Sequence, residues 1–363
     1  MKSCFPALFA LALGALGCGI SDPNHDGGDQ SLPVHPVANS VFVKDGDVYV
    51  AGNQIHDRGG DLPVWHHATL WKNGEISFQS EHFASEASSV FVSGDDVYVA
   101  GNDHFYRSHN ERNESSAVLW TNGSPNFLVL PESAPADTSV SRADFVFVSG
   151  DDVYVVGSAY SAYSSTTSGL FIPVIWKNGE SQFLSDGSIN TFARSLSVSG
   201  EDVYVVGAEQ NRNGKVYNAV LWKNGVRQEL DADCSNPTSI FVSGQDVYIA
   251  GYDGDGSLAL WTNNVKQVLA AAPYTEYKYS NTDPYVFVSD GDVYVLGGME
   301  YAIYYWKNGE RHFVADGSPT YGFGFCRVAG TSIFVSGDDV YVGGQLEGHP
   351  MLWKNGKAQT LPR

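Results

Sequence analysis

The sequence predicts an all-β fold built from seven copies of one four-stranded unit, and three features support this prediction. A phrase of the form Ser-Val-Phe-Val-Ser-Gly-Asp-Asp-Val-Tyr-Val-Ala-Gly recurs, with its tyrosine at Tyr49, Tyr98, Tyr154, Tyr204, Tyr248, Tyr294 and Tyr341. A second phrase, most often Leu-Trp-Lys-Asn-Gly, follows each copy, with its tryptophan at Trp71, Trp120, Trp176, Trp222, Trp261, Trp306 and Trp353. The units average about 46 residues, which is a typical length for propeller repeats.

Each phrase is predicted to be a β-hairpin, because two runs of β-branched and aromatic residues flank a tight turn. In the first phrase the turn is a pair such as Gly94-Asp95 or the reversed Asp45-Gly46. In the second phrase it is Asn-Gly, as at Asn73-Gly74. Both pairs suit turns that need a positive φ. Each unit therefore has four antiparallel strands, which we call a, b, c and d.

The predicted strands are apolar on both sides, as in Val-Phe-Val and Val-Tyr-Val. A sheet with two apolar faces must be covered on both faces by its neighbours. Twisted four-stranded sheets that stack in this way around an axis form a β-propeller, here of seven blades. The alternative is an open stack such as a β-solenoid, whose rungs are usually shorter and lack two tight hairpins each.

Residues 1–17 are predicted to be a signal peptide, because a basic start precedes a short apolar run that is too brief to span a bilayer. The small residues before Cys18 fit ordinary cleavage, and they also resemble a bacterial lipoprotein box. That resemblance implies lipidation of Cys18. Residues 18–40, polar and acidic, are predicted to be a lipid-anchored tether. Residues 41–363 form the propeller, whose ring closes by contact of the first and last units or by a strand from residues 32–37.

The chain carries 21 basic and 41 acidic side chains, a net charge of −20. Nucleic acid and anionic lipid surfaces are therefore excluded as ligands, and the lipid anchor is the only expected membrane contact. The protein is expected to be a monomer. Cys234 and Cys326 lie at equivalent points two units apart, too far from each other for a disulfide, so we expect two free thiols.

The a–b and c–d turns share one face of a propeller, which we call the turn face, and the b–c and d–a connections share the other, the loop face. Seven aspartates at the start of each strand b could form a cation ring on the turn face, but hydrogen bonds to their own turns are the simpler interpretation. The loop face varies between units and is aromatic-rich, so binding residues are expected there. The candidates are Trp65, His66, Phe105, Tyr106, Tyr163, Tyr274, Tyr277, Tyr321 and Phe325.

Catalytic and cofactor motifs are missing from the sequence. It has no Gly-x-Ser-x-Gly, no P-loop, no dinucleotide fingerprint and no His-Glu-x-x-His, so no cofactor and no catalytic residue is predicted. Histidines do gather in the b–c connections of the first, second and last units, including His67 and His349 at the same position. Equivalent points of adjacent blades lie too far apart to share one metal ion, so no metal site is predicted.

The order of strands and the double glycines Gly297-Gly298 and Gly343-Gly344 resemble the kelch class of β-propellers. The pair of phrases resembles still more closely the repeats of uncharacterised bacterial lipoproteins. These resemblances imply an exported seven-bladed propeller in the bacterial cell envelope, lipid-anchored at the outer membrane or cell surface. They imply no catalytic residue.

Three functions are therefore open. The first is a binding module for a glycan or a protein, acting through the b–c and d–a loops. The second is a polysaccharide-active hydrolase or lyase with its site at the mouth of the central channel, which would require convergent carboxylates or histidines. The third is a structural or adhesive surface protein with no small ligand.

Overall fold

The computed structural model of the chain describes residues 37–56, 65–82, 84–105, 114–135, 138–161, 169–210, 217–230, 236–272, 282–299, 301–317 and 328–362. Within these ranges every regular element is a β-strand, which confirms the predicted all-β class. No helix in the same ranges has the length and apolar character needed to cross a lipid bilayer.

The strands of the described residues follow the sequence repeat, four to each unit. The first three units contain β1 (Val37–Lys44), β2 (Asp47–His56), β3 (Trp65–Lys72), β4 (Glu75–Gln79), β5 (Glu86–Ser93), β6 (Asp96–Phe105), β7 (Glu114–Thr121), β8 (Ser124–Phe127), β9 (Thr138–Ser149), β10 (Asp152–Ser161), β11 (Leu170–Lys177) and β12 (Glu180–Phe183). The fourth and fifth contain β13 (Thr191–Ser199), β14 (Asp202–Gln210), β15 (Tyr217–Lys223), β16 (Val226–Glu229), β17 (Asn236–Ser243), β18 (Asp246–Tyr252), β19 (Leu258–Thr262) and β20 (Val265–Ala270). The last two contain β21 (Tyr285–Ser289), β22 (Asp292–Met299), β23 (Ala302–Lys307), β24 (Glu310–Asp316), β25 (Val328–Ser336), β26 (Asp339–Leu346), β27 (His349–Lys354) and β28 (Lys357–Thr360).

Each unit is an antiparallel meander in the order a-b-c-d, as predicted. In the described residues five units are separate four-stranded sheets. The second and third units share one eight-stranded sheet, because Ser115 of β7 and Val140 of β9 form a parallel bridge between them. Since the sheets pack face to face around an axis, the chain is a β-propeller with four antiparallel strands per blade.

The turns have the predicted backbone conformation. Asn73 and the first residue of each other c–d turn have φ between 49 and 54°. Gly74 follows at φ 85°, in the left-handed region that glycine occupies at no steric cost. The a–b turns place Gly94 at φ 58°, or the pair Asp45-Gly46 at 53 and 85°. The turn residues therefore fix the hairpins of the repeat, as the sequence predicts.

The aspartates of the turn face stabilise the fold, but by a different contact from the predicted one. Asn73 Nδ2 donates to Asp47 Oδ1 at 2.8 Å, and Asn73 Oδ1 accepts from the Val48 N–H at 2.9 Å. Both bonds occur in all seven units. In five units a lysine joins, as Lys72 does at 2.7 Å from Asp47 Oδ2. Each aspartate therefore bonds the c–d turn of its unit and not the amides of its own turn, because the two turns lie side by side.

The repeated tryptophans are the core between units. Each is at most 4% exposed. Trp120 of the second unit packs in one cluster with Tyr49 and Leu70 of the first, and the later units repeat this arrangement. The cluster around Trp71 contains Tyr341, so the last unit packs against the first. The repeated tryptophans are therefore packing residues.

The last unit supplies its own strand d, as predicted, because β28 pairs with β27. The chain end then contacts the first unit. Trp71 Nε1 donates to the Pro362 carbonyl at 3.0 Å, and Gln54 Nε2 donates to the same oxygen at 2.9 Å. Residues 32–36, the other predicted contributors to closure, lie outside the described residues.

Strand a of every unit lines the axis, and its phenylalanine closes the channel. A cavity of about 70 Å³ lies there, lined by residues of all seven strands a. A space of this size has room for only a few water molecules. Ser197 replaces the phenylalanine in the fourth unit. The other six units supply a row of rings with centroids 4.6 to 5.1 Å apart, in the order Phe147, Phe91, Phe42, Phe334, Phe287 and Phe241.

The serine of Ser-Val-Phe-Val joins each unit to the next. Strand a is the inner edge of its sheet, so N–H groups on its free side need a partner from elsewhere. In five units the serine hydroxyl supplies that partner. The N–H to Oγ bonds are Val41 to Ser332, Val90 to Ser40, Val146 to Ser89, Ile240 to Ser195 and Val286 to Ser239, at 2.9 to 3.3 Å.

Candidate functional site

Strand a contains a β-bulge near its loop-face end. The ladder between β1 and β2 passes from Ala38 to Ser40, so Asn39 is the extra residue. The facing glycine is required, because a Cβ on Gly52 would lie 2.0 Å from the Val37 carbonyl oxygen. A bulge re-aims the side chain of its extra residue. The extra residues of six units are Asn39, Ser88, Asp144, Arg194, Thr238 and Thr331.

The bulge residue has a structural role in three units. Asn39 Nδ2 donates to the Ala87 carbonyl of the next unit at 2.7 Å. Thr331 and Thr238 each donate a hydroxyl proton to a carbonyl of the unit that follows. A small hydrogen-bond donor at this position therefore ties one unit to the next.

The second, third and fourth units depart from this role. In the second unit Ser88 Oγ is buried without a hydrogen-bond partner among the described residues. Asp144 occupies the position in β9, and an ionised carboxylate has no proton to give to a carbonyl. Both Asp144 oxygens are buried, and neither has a hydrogen-bond partner among the described residues. The same is true of Arg194 Nε in β13, whose guanidinium lies 5.7 Å from the Phe192 ring. Neither side chain therefore makes the bond to the next unit that Asn39, Thr238 and Thr331 make.

Further charges converge on Asp144. Arg142 Nε is 3.0 Å from Asp144 Oδ1 but is not aligned for a hydrogen bond. Burial raises the pKa of Asp144; the nearby Arg142 and Arg194 oppose the shift and Glu86 adds to it. Burial also raises the pKa of Asp283, and Arg194 opposes that shift too. Arg194 thus influences the pKa of carboxyls of the third and sixth units, so charged side chains of the second, third, fourth and sixth units act on one another at the loop-face end of the channel.

The cluster is recessed but reaches solvent. The side chains of Arg142 and Asp144 are 18% and 12% exposed. They lie on β9, one of the strands that line the axis, on the loop-face side of Phe145 and Phe147. We call the cluster of Glu86, Arg142, Asp144, Arg194 and Asp283 the channel mouth.

Two aromatic rings lie at the base of the channel mouth. Phe145 and Tyr285 replace the unit-joining serine in the third and sixth units. Their ring centroids are 6.4 Å apart across the axis, and both rings line the axial cavity. Burial raises the pKa of the Tyr285 hydroxyl above its ordinary value, so the phenol stays protonated at neutral pH. These rings form an aromatic floor beneath the charged groups.

Two histidine–carboxylate pairs lie between the first and second units. His66 Nε2 is 3.3 Å from Glu86 Oε1, and both side chains are buried. His82 Nδ1 is 2.7 Å from Asp103 Oδ2. No group of three His, Cys, Asp or Glu side chains in the described ranges is placed to hold a metal ion.

The predicted site residues lie mostly at or beyond the limits of the described chain. His66 is within β3 and not in a connection, and its contact with Glu86 joins it to the channel mouth. Trp65 begins β3 and Phe105 ends β6, so these b–c hairpins extend further than expected. Contact of these three residues with a ligand stays a prediction. Outside the described residues lie Tyr106, Tyr163, Tyr274, Tyr277, Tyr321 and Phe325, and also Cys18, Cys234 and Cys326.

The channel mouth was missed at the sequence level, although a signal for it exists. Five units have serine before the central apolar residue of strand a, whereas the third has Phe145 and the sixth has Tyr285. One residue earlier, Asp144 and Arg194 stand where four other units have Asn, Ser or Thr and the sixth has Pro284. An alignment of the seven copies of strand a identifies these positions when it is searched for residues at which one unit differs from the others.

Comparison with known proteins supports the fold. No protein-family model matches the chain, and no curated protein matches it. The β-propeller domain of the Trilobed protease from Pyrococcus furiosus aligns with a TM-score of 0.50 and 12% identity, over 91% of this chain and 96% of that one. The acylaminoacyl peptidase of Pyrococcus horikoshii aligns with a TM-score of 0.51 and 11% identity over 90% of this chain, which spans 52% of the peptidase. At these identities the likeness shows the propeller fold alone.

Proposed function

We propose that the protein is an exported, lipid-anchored β-propeller of seven blades and kelch-like type that acts as a binding module for a glycan or a protein. Its ligand binds on the loop face. The protein is a monomer of the bacterial cell envelope, at the outer membrane or cell surface. It contacts the membrane through its lipid anchor only and does not bind nucleic acid.

The count of seven blades is supported by the packing between units. The eight-stranded sheet consists of two four-stranded antiparallel halves joined by one parallel bridge, so each half is read as a blade. Each hydrophobic cluster of the described residues combines side chains of two consecutive units, and the cluster around Trp71 combines the last unit with the first.

The observation that supports binding most strongly is the contrast between the two faces. On the turn face every repeated aspartate accepts a hydrogen bond from the asparagine of its unit. At the channel mouth Asp144 Oδ2 and Arg194 Nε are buried and have no hydrogen-bond partner in the described chain. Groups that the fold leaves unpaired are available to a ligand. The loop face is therefore the binding face.

The experiment is a binding screen of the purified protein against polysaccharides and envelope proteins, repeated with Trp65→Ala and Tyr277→Ala. Loss of a stacked aromatic should weaken binding about tenfold. The control is Phe313→Ala, because Phe313 is an exposed aromatic on strand d, away from the loop face. If both loop variants bind as well as the wild type, the aromatic loops do not hold the ligand.

Lipid anchoring has its own test. Replacement of Cys18 by serine removes the thiol that would carry the acyl chains, so the variant should move from the membrane fraction to the soluble fraction. Cys4→Ser, within the predicted signal peptide, is the matched control and should stay with the membrane. Retention of Cys18→Ser in the membrane fraction would contradict the lipid anchor.

A hydrolase or lyase is the second candidate, and the carboxyls of the channel mouth favour it. Burial raises the pKa of both Asp144 and Asp283, and a carboxyl with a raised pKa can act as a general acid. In that case Asp144→Asn or Asp283→Asn should abolish turnover of a bound polysaccharide while much of the affinity remains. Binding without product release by the wild-type protein would exclude this candidate.

A further inference from the structure

We propose that the channel mouth recognises the terminal residue of a neutral glycan, which enters end-on and stops at the aromatic floor. This inference rests on the proposed binding function and specifies its ligand class and its site. The polar groups, the aromatic floor and the blocked channel support it independently.

The charges of the channel mouth favour a ligand without net charge. The cluster has three carboxyl groups and two guanidinium groups, so its charges nearly cancel when all five groups are ionised. The carboxyls belong to Glu86, Asp144 and Asp283, and the guanidinium groups belong to Arg142 and Arg194. A cluster whose charges nearly cancel has no excess charge with which to neutralise an ionic ligand. The net charge of −20 also repels anions from the whole molecule. The ligand is therefore held by hydrogen bonds and not by charge pairing.

The available atoms match hydroxyl groups. Asp144 Oδ2 accepts no hydrogen bond and Arg194 Nε donates none among the described residues, whereas Asp144 Oδ1 and Arg142 Nε form an ion pair at 3.0 Å. A hydroxyl both donates and accepts, so adjacent hydroxyls of a sugar can bond a carboxylate and a guanidinium at once. Hydrogen bonds to charged groups are the stronger class. A sugar would thus provide the partners that the fold does not.

The floor supplies an apolar surface. Phe145 and Tyr285, with centroids 6.4 Å apart, present aromatic carbon beneath the charged groups. A sugar ring has an apolar C–H face as well as polar edges, so it can rest on such rings while its hydroxyls bond the groups around them. These are also the two units in which the serine bond between neighbours is given up, so the rings are retained at the expense of that bond.

Because the channel is blocked, a glycan enters the channel mouth with one of its ends. The axial cavity of about 70 Å³ is too small for a sugar residue, and the phenylalanine row closes the path beyond it. A glycan cannot thread through the ring. Because the charged groups are recessed, an internal residue with neighbours on both sides would not reach them, whereas a terminal residue would.

The repeat supplies variants that separate binding from folding. Asp144→Thr and Arg194→Thr install the residue that Thr331 and Thr238 provide at the same position, where it bonds the next unit. These variants should fold as well as the wild type. The matched control is Asp151→Asn, an exposed aspartate at the turn-face end of the same unit.

The experiment is calorimetric titration with neutral monosaccharides and with linear oligosaccharides blocked at one end or the other, after a thermal melt of each variant. We expect binding of unblocked oligosaccharides, competition by the free terminal monosaccharide, and loss of binding when the terminal residue is blocked. Asp144→Thr and Arg194→Thr should each weaken binding at least tenfold, about 1.4 kcal/mol. Asp151→Asn should bind as the wild type does.

The outcomes that would overturn the inference are distinct. Glycan binding that both threonine variants retain would leave the loop-face function standing and place the ligand elsewhere than the channel mouth. Affinity that rises with chain length and ignores the blocked end would contradict end-on entry. Binding of an envelope protein but of no saccharide would overturn the glycan assignment, and binding of neither class would also overturn the proposed function.

Discussion

Aspartate occurs in two opposite environments in this chain. The carboxylate of Asp202 on the turn face pairs with Lys223 and accepts a hydrogen bond from Asn224. These contacts, that of Lys223 first, lower the pKa of the Asp202 carboxyl. Asp144 at the channel mouth is buried, and burial outweighs Arg142 and raises the pKa of its carboxyl. Folding therefore favours the ionised form of Asp202 and disfavours the ionised form of Asp144. The two residues should therefore affect stability with opposite signs as the pH changes.

We expect Asp144→Asn to stabilise the protein at pH 7. A carboxyl whose pKa is raised on folding contributes stability only below its unfolded pKa of about 4, and that stability is lost as the pH rises through the folded pKa. The neutral amide avoids this loss. Urea unfolding at pH 7 and at about pH 4 should show an advantage for the variant at pH 7 that shrinks in acid.

Asp202→Asn is the control with the opposite sign. A carboxyl whose pKa is lowered on folding contributes stability above its unfolded pKa, and that stability is lost as the pH falls through the folded pKa. This variant should therefore be less stable than the wild type at pH 7, with a difference that disappears in acid. If Asp144→Asn also destabilised the protein at pH 7, the Asp144 carboxylate would be part of the fold.

Strand a is the element in which the fold and the proposed binding site use the same positions. Its serine bonds the next unit in five cases, and its phenylalanine closes the channel in six. Because the other units supply these contacts, the third, fourth and sixth can use Phe145, Arg194 and Tyr285 differently. A repeat can accept such exceptions because each unit contacts only its neighbours.

Ser332→Ala should weaken the contact that closes the ring. Ser332 Oγ accepts the Val41 N–H at 2.9 Å, and both groups are buried. Loss of the hydroxyl leaves that N–H without its partner, which costs about 1–3 kcal/mol. Chemical denaturation should show the loss, and Ser336→Ala, at an exposed position of the same strand, should leave the midpoint unchanged. Equal stability of the two variants would mean that the serine bond does not hold the units together.

The elements of the fold differ in how accurately the sequence predicts them. The hairpins were predictable because Asn73-Gly74 and its equivalents act locally. The b–c hairpins are longer than expected, because polar residues such as Gln54 and His67 pair across β2 and β3 without a strand-like pattern. The channel mouth depends on charges of units distant in sequence, such as Arg194, which opposes the rise in the pKa of Asp283, and no local pattern reveals them.

At the scale of the whole molecule, the ring brings distant units to one axis. The described part of the chain is held by clusters between consecutive units, and the cluster around Trp71 joins the end of the chain to its start. In six units strand a thus places one bulge residue at its loop-face end. The architecture therefore gathers charged side chains that are far apart in the chain into one central cluster, above rings of Phe145 and Tyr285 that also pack against the core.

The central claim is that the exceptions in strand a serve a ligand and not the fold. The most direct measurement is the thermal midpoint of the triple variant Asp144→Thr, Arg194→Thr, Tyr285→Ser, which restores residues that other units use at these positions. We expect one cooperative transition at the wild-type temperature or above it, because two buried charged groups are removed and bonds between units can form, which together offset the lost packing of Tyr285. A clearly lower midpoint would show that these side chains hold the propeller together, and would contradict the claim.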